Sequence, residues 1–188
     1  MLGTSSSGFD TSIQRLVDLT GAKNILELGC GQGKFGSMMR GRAVPRSLRA
    51  VQKVFGPNDV DHLKALGYEE VIDQDILEYF RNGFDQTYDV VVALDVIEHF
   101  LYSDVMSIIN FALYRADYML LVWPSAHPQN GAVHSFDRHR SSFELRDLSD
   151  KFDIVFYAQS GFAEMNCVHR YHIVLLRGHM NLKVLPFY

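Results

Sequence analysis

Two stretches of this chain, DVVVAL at residues 89–94 and YMLLVW at 118–123, are almost unbroken apolar runs. A strand with one wet face alternates apolar and polar residues, so runs like these belong to strands buried on both faces, as in a parallel sheet covered by helices. Between them, residues 103–114 carry apolar side chains at helical spacing. The three segments together make a β-α-β unit, whose crossover is right-handed. Strand-like runs recur at 24–28, 50–55, 70–72, 153–157 and 171–176, with helical patterns at 11–19, 34–40 and 59–66 among them. Such alternation predicts an α/β sandwich of three layers. Residues 158–170 read as a loop, so the last two strands are expected to pair as an antiparallel hairpin.

With 188 residues and no internal repeat, the expectation is a single domain over 1–188, with a flexible lead at 1–10 and a tail at 179–188. A net charge of −4 argues against a general nucleic-acid coat. Two cysteines, Cys30 and Cys167, make no disulfide framework, which points to a reducing compartment. No apolar run reaches the ~18 residues of a membrane span, and the first residues lack a basic-then-apolar leader pattern. These features predict a cytoplasmic protein without a membrane partner.

Ligands of open α/β sheets bind at the carboxyl ends of the strands. The first such end reads ILELGCGQGKFG, residues 25–36, with four glycines on a short polar loop leading into a helix. Glycines allow positive φ and close backbone approach, and the free N–H groups at a helix start face outward. Gly31-x-Gly33-x-x-Gly36 matches a dinucleotide fingerprint, which would hold a pyrophosphate. Glu27, two residues before the first glycine, would repel a pyrophosphate but suits a ligand bearing an ammonium group. S-adenosylmethionine carries an ammonium and a sulfonium and no phosphate.

The chain resembles the class I S-adenosylmethionine-dependent methyltransferases over about residues 16–156. ILELGCGQG is similar to their first motif, VIDQDILEYF to the segment after their third strand, and YDVVVALDVIEHF to their fourth strand and the turn closing over the methyl donor. The resemblance implies a Rossmann-like, mostly parallel seven-stranded sheet ordered 3-2-1-4-5-7-6 with an antiparallel last strand. It also implies S-adenosyl-L-methionine as cofactor, held by Glu27, Gly29, Gly31, Gly33, Asp75, Ile76 and Asp95. The family usually places an acidic residue after the second strand for the ribose hydroxyls. Here Asn58 stands at that place with Asp59 one residue late, a departure that leaves two alternatives for the ribose contact. The other reading is a nucleotide-binding Rossmann protein, or a methyltransferase-like module that serves as a partner without catalysis.

Methyl transfer requires a positioned nucleophile and, for a hydroxyl or protonated amine, removal of a proton. Of eight histidines, His99 ends the fourth-strand motif, and His127, His134 and His139 crowd the segment after the fifth strand. His99 and His134 are the catalytic candidates, while His62, His169, His172 and His179 read as structural. His99 is equally readable as a brace of its turn. Asp95, Glu98 and His99 fall at i, i+3 and i+4, a spacing that also suits a divalent ion if His134 or His139 joins them; no metal is assigned on this pattern alone. Ser141 and Glu144 read as a capping box. Trp123 and Phe136 are readable as core or as a wall for a flat acceptor. Lys34, Arg40, Arg42, Arg46, Arg49 and Lys53 read as a solvated face, or as a guide for a phosphate-bearing substrate. The acceptor, a small molecule or a nucleotide- or sugar-type compound methylated at oxygen or nitrogen, is left open by the sequence.

Overall fold

The computed structural model describes residues 8–42, 46–53, 57–83, 86–125, 139–164 and 167–181, without the side chains of 57–58, 162–164 and 167–169. Seven strands form one sheet: β1 (Asn24–Leu28), β2 (Ser47–Gln52), β3 (Glu70–Asp73), β4 (Tyr88–Leu94), β5 (Ala116–Pro124), β6 (Ile154–Glu164) and β7 (Cys167–Arg177). Their order is β3-β2-β1-β4-β5-β7-β6. All neighbours pair parallel except β7, which is antiparallel to both β5 and β6. The expected seven-stranded arrangement is therefore present, with β1 and β4 side by side at the switch point.

The apolar runs are explained by two cores on opposite faces. Along β4, Val91 and Ala93 face one core with Met119, Leu121 and Trp123 of β5, while Val90, Val92 and Leu94 face the other with Tyr118, Leu120 and Val122. The first face is covered by α4 (Ile76–Arg81), α5 (Tyr102–Arg115) and α6 (Leu145–Ser149). The second is covered by α1 (Asp10–Thr20), α2 (Lys34–Met39) and α3 (Pro57–Ala65). Alternate side chains leave a strand on opposite faces, so a strand clothed on both sides has no polar positions to show.

Three sequence expectations need correction. The second strand begins at Ser47, three residues earlier than expected, because Leu48 and Ala50 pack under α1 and α3 despite the intervening Arg49. Residues 158–170 are not a loop among the described residues: β6 and β7 continue through them, pairing from Ala158↔Ile173 out to Glu164↔Cys167. The strand signal is lost there because β6 lies at the sheet edge, and the hairpin runs beyond Pro124↔Tyr171, the last pair with β5. It needs no apolar face at that distance. The capping box sits three residues later than read: Glu144 and Asp147 cap α6 reciprocally, and Ser141 Oγ instead donates to Phe100 O at 2.8 Å. Most of the expected lead and tail lies outside the described residues, which begin at residue 8 and end at residue 181. Phe9 is buried, and Asn181 donates from Nδ2 to Asp117 O at 2.8 Å.

Candidate functional site

The carboxyl ends of β1 and β4 carry the loops that the sequence singled out. After β1, Gly29, Gly31 and Gly33 have φ of 66°, 53° and 80°, left-handed values that a side chain resists. A Cβ on Gly29 would lie 2.8 Å from Val96 Cγ2, so the glycine lets the turn after β4 press against the turn after β1. The two halves of the site are held in contact by that missing side chain.

Glu27 points below the loop and is buried, 3% exposed. The Tyr68 hydroxyl donates to Glu27 Oε2 and accepts from Gly36 N at 3.1 Å. Gly36 permits this, since a Cβ there would stand 2.3 Å from Tyr68 Cε2. Burial pushes the Glu27 carboxyl up to about 8, an effect the Tyr68 hydrogen bond only partly offsets. A buried carboxyl that holds its proton near neutrality gains most from a cation placed beside it. Burial, and then the charge of Glu27, also push the Cys30 thiol up, which makes it inert filler.

Gln52, at the end of β2, has a role that sequence reading missed. Its Oε1 accepts from Gly31 N at 2.5 Å and from Cys30 Sγ at 3.4 Å, and its Nε2 faces Gly31 O at 3.4 Å. A neutral amide thus clasps the loop directly after the second strand. Asn58 lies in the first turn of α3, and its side chain is outside the described residues. Asp75 is exposed and caps α4, its Oδ1 accepting from Leu77 N and Glu78 N at 2.8 and 3.3 Å. Ile76 beside it is buried against the first core.

After β4, Asp95 has φ 54°, a strained value for a residue with a side chain. A short 3-10 turn, Ile97–His99, follows. Glu98 turns inward, 2% exposed, and its Oε2 has no hydrogen-bond partner among the described residues. Burial first, and the Asp95 charge second, raise its carboxyl well above the ordinary range. The Tyr171 hydroxyl on β7 is raised by burial and then by the charges of Asp95 and Glu98, which marks the three as neighbours. His139 is brought in from the segment after β5: Arg140 N and Ser141 N donate to Glu98 O at 2.7 and 3.2 Å. The His99 and His139 rings meet edge to face with centroids 5.1 Å apart. His127, His134 and Phe136 lie outside the described residues.

Other candidates resolve as structure. Trp123 is fully buried, donates from Nε1 to Phe143 O at 3.0 Å and stacks on His172, so it is core and not an acceptor wall. His172, read as structural, is buried between Ser125 Oγ at 2.5 Å and Tyr157 OH at 3.2 Å. Its partners could not be seen from sequence because they come from the end of β5 and from β6, 15 to 49 residues before it. The basic residues are largely paired: Lys34 with Asp10 at 2.7 Å, Arg42 and Arg46 with Asp18, and Arg49 with Glu70 at 3.3 Å. Lys34, Arg42 and Arg49 are partly exposed, whereas the Arg46 side chain is buried and also donates from Nε to Ala22 O at 3.0 Å. His62 on α3 lies 3.3 Å from Gln32 O and braces the glycine loop.

No protein-family model and no curated protein matches the chain. Solved structures do. The N-methyltransferase NodS from Bradyrhizobium japonicum WM9, in complex with S-adenosyl-L-homocysteine, superposes with a TM-score of 0.65 at 17% identity, over 90% of this chain and 85% of that one. The methyltransferase domain of the bacterial CtHen1-CN gives 0.61 at 16% identity, over 89% and 96%. Magnesium protoporphyrin IX methyltransferase from Synechocystis PCC 6803, with bound S-adenosylmethionine, gives 0.56 at 14% identity, over 93% and 86%. The chain has the class I methyltransferase fold. Within that fold, the glycine loop and the Asp95–His99 turn occupy the carboxyl ends of the two central strands. No described helix is long and apolar enough to cross a membrane.

Proposed function

We propose that the chain is an S-adenosylmethionine-dependent methyltransferase acting on oxygen or nitrogen of a small-molecule or nucleotide- or sugar-type acceptor. One observation carries this reading: the Glu27 carboxyl is buried beneath a loop of left-handed glycines, and burial holds it near pH 8. A pyrophosphate would meet a carboxyl there, and the nearby cation, Lys34, is drawn away to Asp10. An ammonium group answers the buried carboxyl instead. Similar structures hold S-adenosylhomocysteine or S-adenosylmethionine, which supports the same choice.

In this reading Gly29, Gly31 and Gly33 let the backbone lie against the methionine part while Glu27 takes its ammonium. Asp75 and Ile76 hold the adenine: Oδ1 is engaged in the helix cap, which leaves Oδ2 for the amino group. Asn58 and Gln52 are the neutral candidates for the ribose hydroxyls, and Asp95 closes the site over the methyl donor. The bound cofactor supplies an electrophilic methyl group on a sulfonium. His99 and His134 belong to the acceptor side, where His99 governs the proton that the acceptor loses. The test is transfer of labelled methyl from S-adenosylmethionine to a panel of hydroxyl and amine metabolites. Label in an acceptor and S-adenosylhomocysteine as co-product support the proposal; a folded protein that binds NAD and transfers no methyl contradicts it.

A further inference from the structure

The contacts that hold His172 in place also give it the means to move a proton. Its ring stacks on Trp123 with centroids 4.8 Å apart and 13° between the planes, so its orientation is fixed. Nε2 lies 2.5 Å from Ser125 Oγ, and Nδ1 lies 3.2 Å from the Tyr157 hydroxyl. The imidazole is 1% exposed, whereas Tyr157 is 36% exposed and Ser125 is half-buried. A hydroxyl against one imidazole nitrogen, with a third group orienting the other, is the arrangement that activates a serine.

The place of this line matters as much as its contacts. Ser125 N donates to Arg170 O at 2.7 Å, which fixes the serine one residue beyond the Pro124↔Tyr171 pair. The Tyr171 hydroxyl, raised first by burial, also feels the charges of Asp95 and Glu98, so β7 passes beside the turn after β4. Asp95 N in turn donates to Val122 O at 2.9 Å, three residues before the serine. Ser125 therefore stands at the acceptor end of the site, one strand over from the turn that carries His99.

Charge around the ring suits a base that is neutral until a proton reaches it. Burial lowers the His172 pKa first; Glu144 opposes that shift and Arg170 reinforces it. Glu144 Oε2 is 3.9 Å from Nε2, the atom that receives the added proton. With the Nδ1 proton directed at Tyr157, Nε2 is bare toward the serine hydroxyl.

We propose that Ser125 is a base-activated hydroxyl that carries the acceptor's proton to His172. As the acceptor atom bonds to the methyl carbon and the carbon–sulfur bond breaks, the acceptor's proton passes to Ser125 Oγ. The serine's own proton passes to His172 Nε2, leaving an imidazolium beside Glu144. The imidazolium then gives up its Nδ1 proton to water by way of the Tyr157 hydroxyl. His99 orients the acceptor group from the β4 side, and the proton leaves on the β5 side. This transfer rests on the methyltransferase reading, while the activated hydroxyl does not.

The experiment uses the full-length protein and reads the serine without an acceptor. Diisopropyl fluorophosphate should label Ser125, located by mass spectrometry: the oxygen–phosphorus bond forms, fluoride leaves and His172 takes the proton. The labelling rate should rise with pH through one ionisation below the ordinary histidine value. His172→Gln, checked for folding by circular dichroism, should slow labelling about 100-fold. Tyr157→Phe keeps the ring and should slow it less. Nitrogen NMR of the histidine-labelled wild type near neutral pH should show His172 with a bare Nε2 and a protonated Nδ1. A protonated Nε2, or a folded wild type in which Ser125 is not labelled, overturns the proposal. With an acceptor from the labelled-methyl panel, Ser125→Ala should lower kcat about 100-fold and leave S-adenosylhomocysteine affinity nearly intact. A raised KM with kcat unchanged would make Ser125 a binding group and also overturns it. Labelling of Ser125 in a protein that transfers no methyl supports the activated hydroxyl and rejects the methyltransferase reading alone.

Discussion

Glu27 is the residue on which the functional reading turns, and its environment makes a pH prediction. The folded protein keeps a proton on this carboxyl up to about pH 8, whereas the ordinary value is 4.5. Between those values the folded state binds more protons than the unfolded one, so stability falls as pH rises. The contribution is fully present below pH 4.5 and lost as pH passes about 8, and it is on the order of several kcal/mol. Glu27→Gln should flatten that part of the pH profile in urea unfolding and make the cofactor-free protein more stable at pH 8. The same variant should bind S-adenosylhomocysteine at least tenfold more weakly. Binding to the wild type at pH 7 should release close to one proton, visible in calorimetry as a dependence on buffer ionisation enthalpy. Gly36→Ala is a companion test, because its Cβ would overlap Tyr68 and displace the hydroxyl that holds Glu27. A loss of roughly 1–3 kcal/mol in chemical denaturation is expected from such overpacking.

At the scale of elements, the start of α4 combines an observed helix cap with the proposed adenine contact. Asp75 caps this helix through its Oδ1, and losing such a cap costs about 1 kcal/mol. Asp75→Ala should show that loss in the cofactor-free protein and, separately, weaken cofactor binding by roughly 1–3 kcal/mol. Asp75→Asn should keep most of the cap and still weaken binding; equal affinity in both variants and wild type would place the adenine elsewhere. What could be read at this scale followed burial. Strands β4 and β5 were plain because both faces are covered, and α5 because its buried stripe recurs at helical spacing. The outer part of the β6–β7 hairpin was not, since an edge arm beyond the core carries no apolar signal. Within the site, the glycines and Glu27 were legible as a local motif. Gln52, Tyr68 and the Ser125–His172–Tyr157 group were not, because each acts through partners 15 to 47 residues away in sequence.

For the molecule as a whole, the sheet order places β1 and β4 side by side, so that a motif near residue 30 and another near residue 97 meet over one pair of strand ends. Gly29 and Val96 make that meeting close, and the hairpin arm of β6 and β7 extends past the end of β5 on the same side. Gly29→Ala should therefore disturb both halves at once, lowering cofactor affinity and perturbing His99 and His139 resonances together. A folded Gly29→Ala protein with only one half affected would show that the two turns are not coupled. The central claim is that this site takes S-adenosylmethionine or its product and no dinucleotide. Its most direct test is the unfolding free energy of the wild type with and without saturating S-adenosylhomocysteine, set against NAD and against the Glu27→Gln variant. At a hundred times the dissociation constant, S-adenosylhomocysteine should add about 2.7 kcal/mol, with no gain from NAD and little in the variant. Stabilisation by NAD, or equal stabilisation of wild type and variant, would contradict the account.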